Sequence, residues 1–270
     1  MNSNLLELGP ITIKWYSFFI LLGILLGSFL IIKEWKKKNG KEEDITNILF
    51  YGILIGIVGA RLHYCLFNLD YYKDDLLGIF QVWNGGLAIH GGILFGLIFM
   101  IIYCKKKKIN LFLLLDIITP SLLLAQALGR WGNFFNQEAF GRTVSLKFLK
   151  NLHLPNFIIE RMYIDGYYRE PTFLYESVIS LIGFFLLIVL RKQKKIKTGI
   201  LCSTYLIWYG IERLIIETFR SDSLMLGPLK VAQIISILFI IGGITLIMKS
   251  YKKNNYYIED KIKTRRMKYE

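Results

Sequence analysis

The sequence predicts an all-α, polytopic integral membrane protein of seven transmembrane helices, with its N-terminus outside and its C-terminus in the cytoplasm. Three observations carry this prediction. Seven apolar runs each approach the ~20 residues needed to cross a hydrocarbon core. The chain is 54% hydrophobic with a mean hydropathy of +0.43, more apolar than a soluble protein of 270 residues sustains. Its bases also fall in short blocks between alternate apolar runs, the pattern that orients membrane helices.

The seven spans follow in order. Span 1 covers residues 15–32 and opens with Tyr16. Span 2, residues 45–67, has Arg61 and His63 near its outer end. Span 3, residues 85–103, carries His90 roughly one and a half turns in. Span 4, residues 111–128, is followed at once by Arg130 and Asn133. Span 5, residues 172–190, opens with Tyr175 and Glu176, and span 6, residues 199–217, ends in Arg213, Glu217 and then Arg220. Span 7 covers residues 229–248. All seven contain glycine or other small residues, which let helices approach closely in lipid.

Charge sets the direction. Residues 33–41 and 191–197 carry five bases each, and Lys105 to Lys108 form a third block. The tail, residues 249–270, carries eight bases against three acids. By contrast, residues 68–84 hold one lysine against Asp70, Asp74 and Asp75, and residues 1–13 hold no base. The four basic segments are therefore cytoplasmic. Residues 1–248 read as a single transmembrane domain, and 249–270 as a basic cytoplasmic tail. The long connection 129–171 falls outside, and long ordered connections usually carry function.

The net charge of +14 is accounted for by these blocks, so a nucleic-acid partner is not indicated. Cys65, Cys104 and Cys202 are widely spaced and odd in number, which suggests neither a disulfide framework nor a zinc site. Residues 1–13 lack the basic start and small cleavage-type residues of a signal peptide, so the first apolar run reads as a retained helix.

Polar residues inside spans are costly and are functional candidates by default. Here they gather at one depth, the outer ends of six spans, with Asp116 the exception in a cytoplasmic half. A channel or transporter needs polar groups at the midplane or through the full depth; a site for a lipid headgroup needs them at one level. On span 6, Tyr209, Arg213, Glu217 and Arg220 lie within an arc of about 80°. Such a stripe is either a functional face or an Arg213–Glu217 pair made to neutralise two charges.

The densest run is Gly129-Arg130-Trp131-Gly132-Asn133-Phe134-Phe135-Asn136-Gln137-Glu138-Ala139-Phe140-Gly141. Its glycines permit tight turns at a helix exit. Arg130 offers a planar fork for a phosphate, Asn133 and Asn136 add neutral donors, and Glu138 can orient Arg130 or a hydroxyl. The same run also suits an interfacial loop anchored by Trp131 and the phenylalanines.

This run resembles the signature of the prolipoprotein diacylglyceryl transferases, approximately G-R-x-G-N-F-x-N-x-E-x-x-G, at every fixed position. The resemblance extends to Trp15-Tyr16, to Ala60-Arg61-Leu62 with Tyr64, and to Gly85 through Gly92 around His90. It also covers Pro171 through Ser177 and the stripe from Arg213 to Arg220. It implies seven spans with the N-terminus outside. One departure stands out: Glu170 occupies a place where the family often has His, which puts any role of that His in doubt.

The resemblance implies a reaction at the outer leaflet of a bacterial cytoplasmic membrane. The lipobox cysteine thiol of a prolipoprotein receives the diacylglyceryl group of phosphatidylglycerol, and glycerol phosphate leaves. The thiol must lose its proton, and the leaving phosphate needs fixed positive charge. By this analogy Arg130 and Arg213 serve the phosphate. Asn133, Asn136, Glu138 and Gly141 line the substrate site, and Glu217 holds Arg213. His90 is the first candidate for the base, with Tyr16 or Tyr209 as alternative acceptors or as phosphate donors. Arg61 adds field to the site or caps a helix. No metal and no cofactor are implied, since the donor lipid brings its own leaving group. A small-anion transporter, a seven-helix receptor or retinal protein, and a scaffold without chemistry are the rival readings. None of them accounts for the signature run.

Overall fold

The computed structural model describes residues 4–8, 11–73, 76–220, 223–252 and 255–262. Asp74, Asp75 and the basic residues of the tail beyond Ile262 lie outside the described residues, so the charge argument on them rests on sequence. The chain divides into two compact units. One comprises Met1–Ile31 with Leu115–Asp260, the other Ile32–Leu114 with Lys261–Glu270.

A short antiparallel hairpin, β1 (Asn4–Leu8) and β2 (Ile11–Lys14), leads into α1 (Trp15–Lys37). Next come α2 (Glu42–Leu66), the single turn α3 (Leu69–Tyr72), two 3-10 turns over Leu76–Phe80 and Val82–Asn84, and α4 (Ile89–Lys107). The helix α5 (Leu111–Asn136) is followed by α6 (Leu146–Asn151), α7 (Asn156–Arg161) and a small hairpin, β3 (Tyr163–Ile164) with β4 (Tyr167–Tyr168). Last are α8 (Thr172–Arg191), α9 (Ile200–Phe219), the hairpin β5 (Met225–Leu226) with β6 (Leu229–Lys230), and α10 (Val231–Tyr251).

Six of these helices, α1, α2, α4, α5, α8 and α10, are long and apolar enough to cross a membrane. The chain is a multi-pass membrane protein. The expected seventh span is helical, as α9, but it is not among the six. Glu212, Arg213 and Glu217 interrupt its apolar run, and two of them, Glu212 and Glu217, are buried in protein.

Small residues bring the helices together where lipid supplies no hydrophobic drive between them. In the second unit α2 and α4 touch backbone to backbone. A side-chain carbon on Gly59 would fall 2.8 Å from the Gly91 carbonyl oxygen. In the first unit, a side-chain carbon on Gly210 of α9 would fall 2.8 Å from the Ser236 carbonyl oxygen of α10. Trp208 of α9 donates its indole N–H to the Ile179 carbonyl of α8 at 3.1 Å.

One expectation is corrected. Span 4 does not end near residue 128: α5 runs on through Asn136, so Gly129 and Gly132 are helical rather than turn residues. Part of the stretch after α10 is ordered against the rest of the first unit. Tyr257 is buried and donates its backbone N–H to Ile196 at 2.8 Å, and the Thr198 hydroxyl donates to Asp260 at 2.9 Å. This stretch folds back onto the basic α8–α9 connection.

The segment between α5 and α8 has a core of its own. Leu149, Ile158, Ile159, Met162 and Ile164 pack with Phe134 and Phe135 of α5 and Phe173 of α8. Trp15 stacks on Phe135 with ring centroids 4.7 Å apart. The Ser145 hydroxyl accepts from the Phe148 N–H at 3.1 Å and so starts α6.

Asp116, the exception noted above, has a structural explanation. Its carboxylate is fully buried and accepts the N–H groups of Gly199 at 2.5 Å and Cys202 at 2.8 Å. An anion here satisfies orphan donors at the start of α9 and complements the helix dipole. Asp116→Ala is expected to destabilise the protein by about 2–3 kcal/mol, read as a lowered Tm in detergent without loss of the α5–α8 core.

Candidate active site

Arg130 of α5, Glu176 of α8, and Arg213 and Glu217 of α9, all in the first unit, form one charged cluster. Glu176, in the second turn of α8, is 2% exposed, and its Oε2 lies 2.5 Å from Arg130 Nη2. The same oxygen lies 3.7 Å from Arg213 Nη1. Arg213 Nη2 in turn lies 2.7 Å from Glu217 Oε2, one turn along α9. Two guanidiniums and two carboxylates thus form one chain, Arg130–Glu176–Arg213–Glu217. The carboxylates are the buried members; the arginine side chains keep 21% and 18% of their surface exposed. Each guanidinium has five N–H donors, and these ion pairs engage only its terminal nitrogens, so both retain donors for a further ligand.

The neighbouring turns hold this cluster in register. The Ser177 hydroxyl of α8 donates to the Ala127 carbonyl of α5 at 3.0 Å. Ser180, one turn below Glu176, donates to Glu212 of α9 at 2.8 Å. Lys230 Nζ donates to the Glu217 carbonyl at 2.5 Å and to the Arg220 carbonyl at 3.3 Å, closing the end of α9. Glu170, in the place noted for a family His, is buried and accepts from Arg142 Nε at 3.0 Å. Arg142 N–H donates to the Phe219 carbonyl at 3.0 Å. The segment leaving α5 is therefore tied both to the start of α8 and to the end of α9.

The residues singled out in the sequence take these places. Asn133 sits one turn beyond Arg130 and accepts from its Nη1 at 3.4 Å, a long contact. Asn136 donates to Glu138 at 3.3 Å. Glu138 is exposed and does not orient Arg130, whose acidic partner is Glu176. The reason is geometric: α5 persists to Asn136, and Gln137 then turns left-handed at φ 55°, carrying Glu138 off the helical face that bears Arg130. Gly141 is buried and donates its N–H to the Glu170 carbonyl at 3.0 Å. A side-chain carbon there would fall 2.9 Å from Thr172 Cγ2, so its role in the structure is close packing.

Tyr16 lies on α1 against Gly132, where a side-chain carbon would come within 2.9 Å of the ring. Tyr209 stacks on Tyr205 with centroids 6.1 Å apart and leans on Phe239 at 5.9 Å. His90 belongs to the second unit, as the second residue of α4, and is exposed. The chain reaches it through Gly85 and Gly86, with φ of 84° and 69°.

Arg61 fixes that approach. It is 6% exposed and spends its donors on main-chain carbonyls: Ile79 at 2.8 Å, Gly78 at 2.6 Å, Gly85 at 2.7 Å and Gly86 at 3.0 Å. Tyr64 and Tyr72 cover the guanidinium at 5.9 Å and 5.3 Å. Arg61 is thus a structural latch on the turn before α4.

Sequence reasoning placed Glu176 at the right level but gave it no role. The signal was its spacing: Glu176 and Ser180 are four residues apart and share a face of α8, as do Arg213 and Glu217 on α9.

Comparison with known proteins agrees with the motif. Residues 3–249 match the family described as prolipoprotein diacylglyceryl transferase. The chain is 44% identical over 256 residues to the phosphatidylglycerol–prolipoprotein diacylglyceryl transferase of Ligilactobacillus salivarius, covering 94% of each protein. It is 46% identical over 262 residues to the protein of that name from Streptococcus equi subsp. zooepidemicus, covering 96% of this chain and 100% of the relative. The Staphylococcus saprophyticus protein of that name is 46% identical over 243 residues, covering 90% of this chain and 87% of its own length.

Proposed function

The chain belongs to the prolipoprotein diacylglyceryl transferase family, and from that premise we infer that it transfers the diacylglyceryl group of phosphatidylglycerol to the cysteine thiol of a prolipoprotein, the first step of lipoprotein maturation. The observation that carries the site assignment is Arg130 and Arg213 converging on the single carboxylate of Glu176.

The chemistry is a displacement at the glycerol carbon that bears the phosphate. A C–S bond forms, the C–O bond breaks, and the electron pair leaves on glycerol phosphate. The phosphodiester arrives with one negative charge and departs with a second developing. Arg130 and Arg213 meet that charge with their remaining N–H donors. Glu176 and Glu217 fix both forks beforehand, so little reorganisation is needed as charge builds. The thiol gives up its proton before or during attack. His90 is the proposed acceptor, and Tyr16, whose ring packs against Gly132, the proposed alternative. Asn133 and Asn136 position the glycerol, and Tyr209 lines the site below Arg213.

We further propose seven crossings with the N-terminus outside, α9 being the seventh and its charges shielded by α5 and α8. The cluster sits at the C-terminal ends of α5 and α9 and at the start of α8. The lysine-rich blocks lie at the opposite ends of these helices. This arrangement supports a reaction at the outer leaflet of a bacterial cytoplasmic membrane, where a lipobox cysteine emerges after export.

The test is mass spectrometry of a lipobox peptide incubated with purified protein in phosphatidylglycerol vesicles. The expected product gains one diacylglyceryl group on cysteine, and a Cys→Ser peptide gains none. An acyl group in its place, or modification of the serine peptide, overturns the reaction assignment.

A further inference from the structure

Below the arginine cluster lies a second polar level that the chemistry above does not use. Gln126 is one turn before Arg130 on α5, and Tyr205 is two turns before Arg213 on α9. Gln126 Nε2 donates to the Tyr205 hydroxyl at 3.0 Å. The amide Oε1 is buried and makes no hydrogen bond among the described residues. Tyr209 stacks over Tyr205 and stands between it and Arg213. On α5, Gln126, Arg130 and Asn133 share an arc of about 60°, so this level continues the face that carries the phosphate site.

A polar pair between helices in lipid is often simple glue, and glue satisfies itself. This pair does not. The amide has two N–H groups and the phenol one O–H, and their mutual bond uses one of the three. With the amide as described, one N–H and the Tyr205 O–H remain, and Oε1 is orphaned. Turning the amide over lets Oε1 accept from Tyr205 and frees both N–H groups. In each arrangement two donors stay outside the bond between the two side chains, in surroundings where an unmet donor is costly.

The partner that suits them has acceptors only. In a diacyl phospholipid the two glycerol ester carbonyls follow the phosphate by a short run of single bonds, a reach comparable with the ~5 Å pitch of one helical turn. We propose that Gln126 and Tyr205 form an ester-recognition subsite, which reads the two glycerol ester carbonyls of the donor lipid while Arg130 and Arg213 hold its phosphate. The subsite rests on the transferase reading for the position of the phosphate. It makes the protein selective for diester over diether lipids that share one headgroup.

The experiment uses the purified full chain in nanodiscs and measures retention of two probes by native mass spectrometry: diester phosphatidylglycerol and its diether analogue. Transfer of each lipid to a lipobox peptide is followed in parallel. Wild type is expected to favour the diester about tenfold. In Tyr205→Phe, which removes only the hydroxyl, and in Gln126→Leu, the ratio falls toward one. Equal retention of both lipids by wild type overturns the subsite, as does an equal loss of both lipids in the variants. Diester preference without any transfer to the peptide leaves the subsite standing and removes the transferase reading. Transfer at equal rates from both lipids, with no difference in retention, does the reverse.

Discussion

Arg130→Lys lowers kcat/KM for glycerol phosphate release by about 10²–10³-fold, although it keeps the charge. The loss follows from geometry. Arg130 spends one nitrogen on Glu176 at 2.5 Å and approaches Asn133 with the other terminal nitrogen at 3.4 Å, so its plane is fixed before substrate arrives. A lysine ammonium satisfies Glu176 as a point charge and has no rigid second edge for phosphate oxygens. The deficit should fall mainly on kcat, because the demand on the guanidinium grows as the second phosphate charge develops. Steady-state kinetics with phosphatidylglycerol and a cysteine peptide check this. A variant with unchanged kcat and a raised KM would assign Arg130 to ground-state binding.

Glu176→Ala is the other large effect, and it acts on fold and activity together. Glu176 is 2% exposed and, among the described residues, is the one acid that both arginines share. Its removal takes away the carboxylate 2.5 Å from Arg130, so a buried ion pair is broken rather than replaced. That costs about 3–5 kcal/mol, seen as a large drop in Tm. Activity falls by at least about 10²-fold, since neither fork is then held. Glu176→Gln separates the two contributions: the amide oxygen still accepts from Arg130, so much of the stability returns, but the charge that restrains both guanidiniums does not. Retention of full activity by Glu176→Gln would show that hydrogen-bond geometry alone positions the arginines.

The pairing of Arg213 with Glu217 was legible because both residues lie on one helix, four apart, and helical periodicity alone brings them together. The pairing of Arg130 with Glu176 was not, because it joins residues on separate helices and depends on where α5 ends. Glycine was the source of that error. Gly129 and Gly132 resemble turn residues in a soluble chain, whereas in lipid small residues serve close packing. Here α5 continues for two more turns, and Gly132 receives Tyr16.

Asp116 shows a related limit. Its charge was visible, but its partners are backbone N–H groups of another helix, which no side-chain pattern displays. Arg61 behaves alike, meeting four carbonyls of the turn before α4. The positions of the helices were readable because apolar length is a local property. The ordered core of the α5–α8 segment was not, since its apolar residues are scattered over two short helices and find each other only against Phe134, Phe135 and Phe173.

We propose that the carboxylate-held arginine pair supports release of glycerol phosphate by a peptide thiol. The most direct measurement follows glycerol phosphate from phosphatidylglycerol, with purified wild type and Arg130→Ala, in the presence of a lipobox peptide or its Cys→Ser counterpart. Release is expected only with wild type and the cysteine peptide. Release that persists in Arg130→Ala, or that proceeds with the serine peptide, would contradict it.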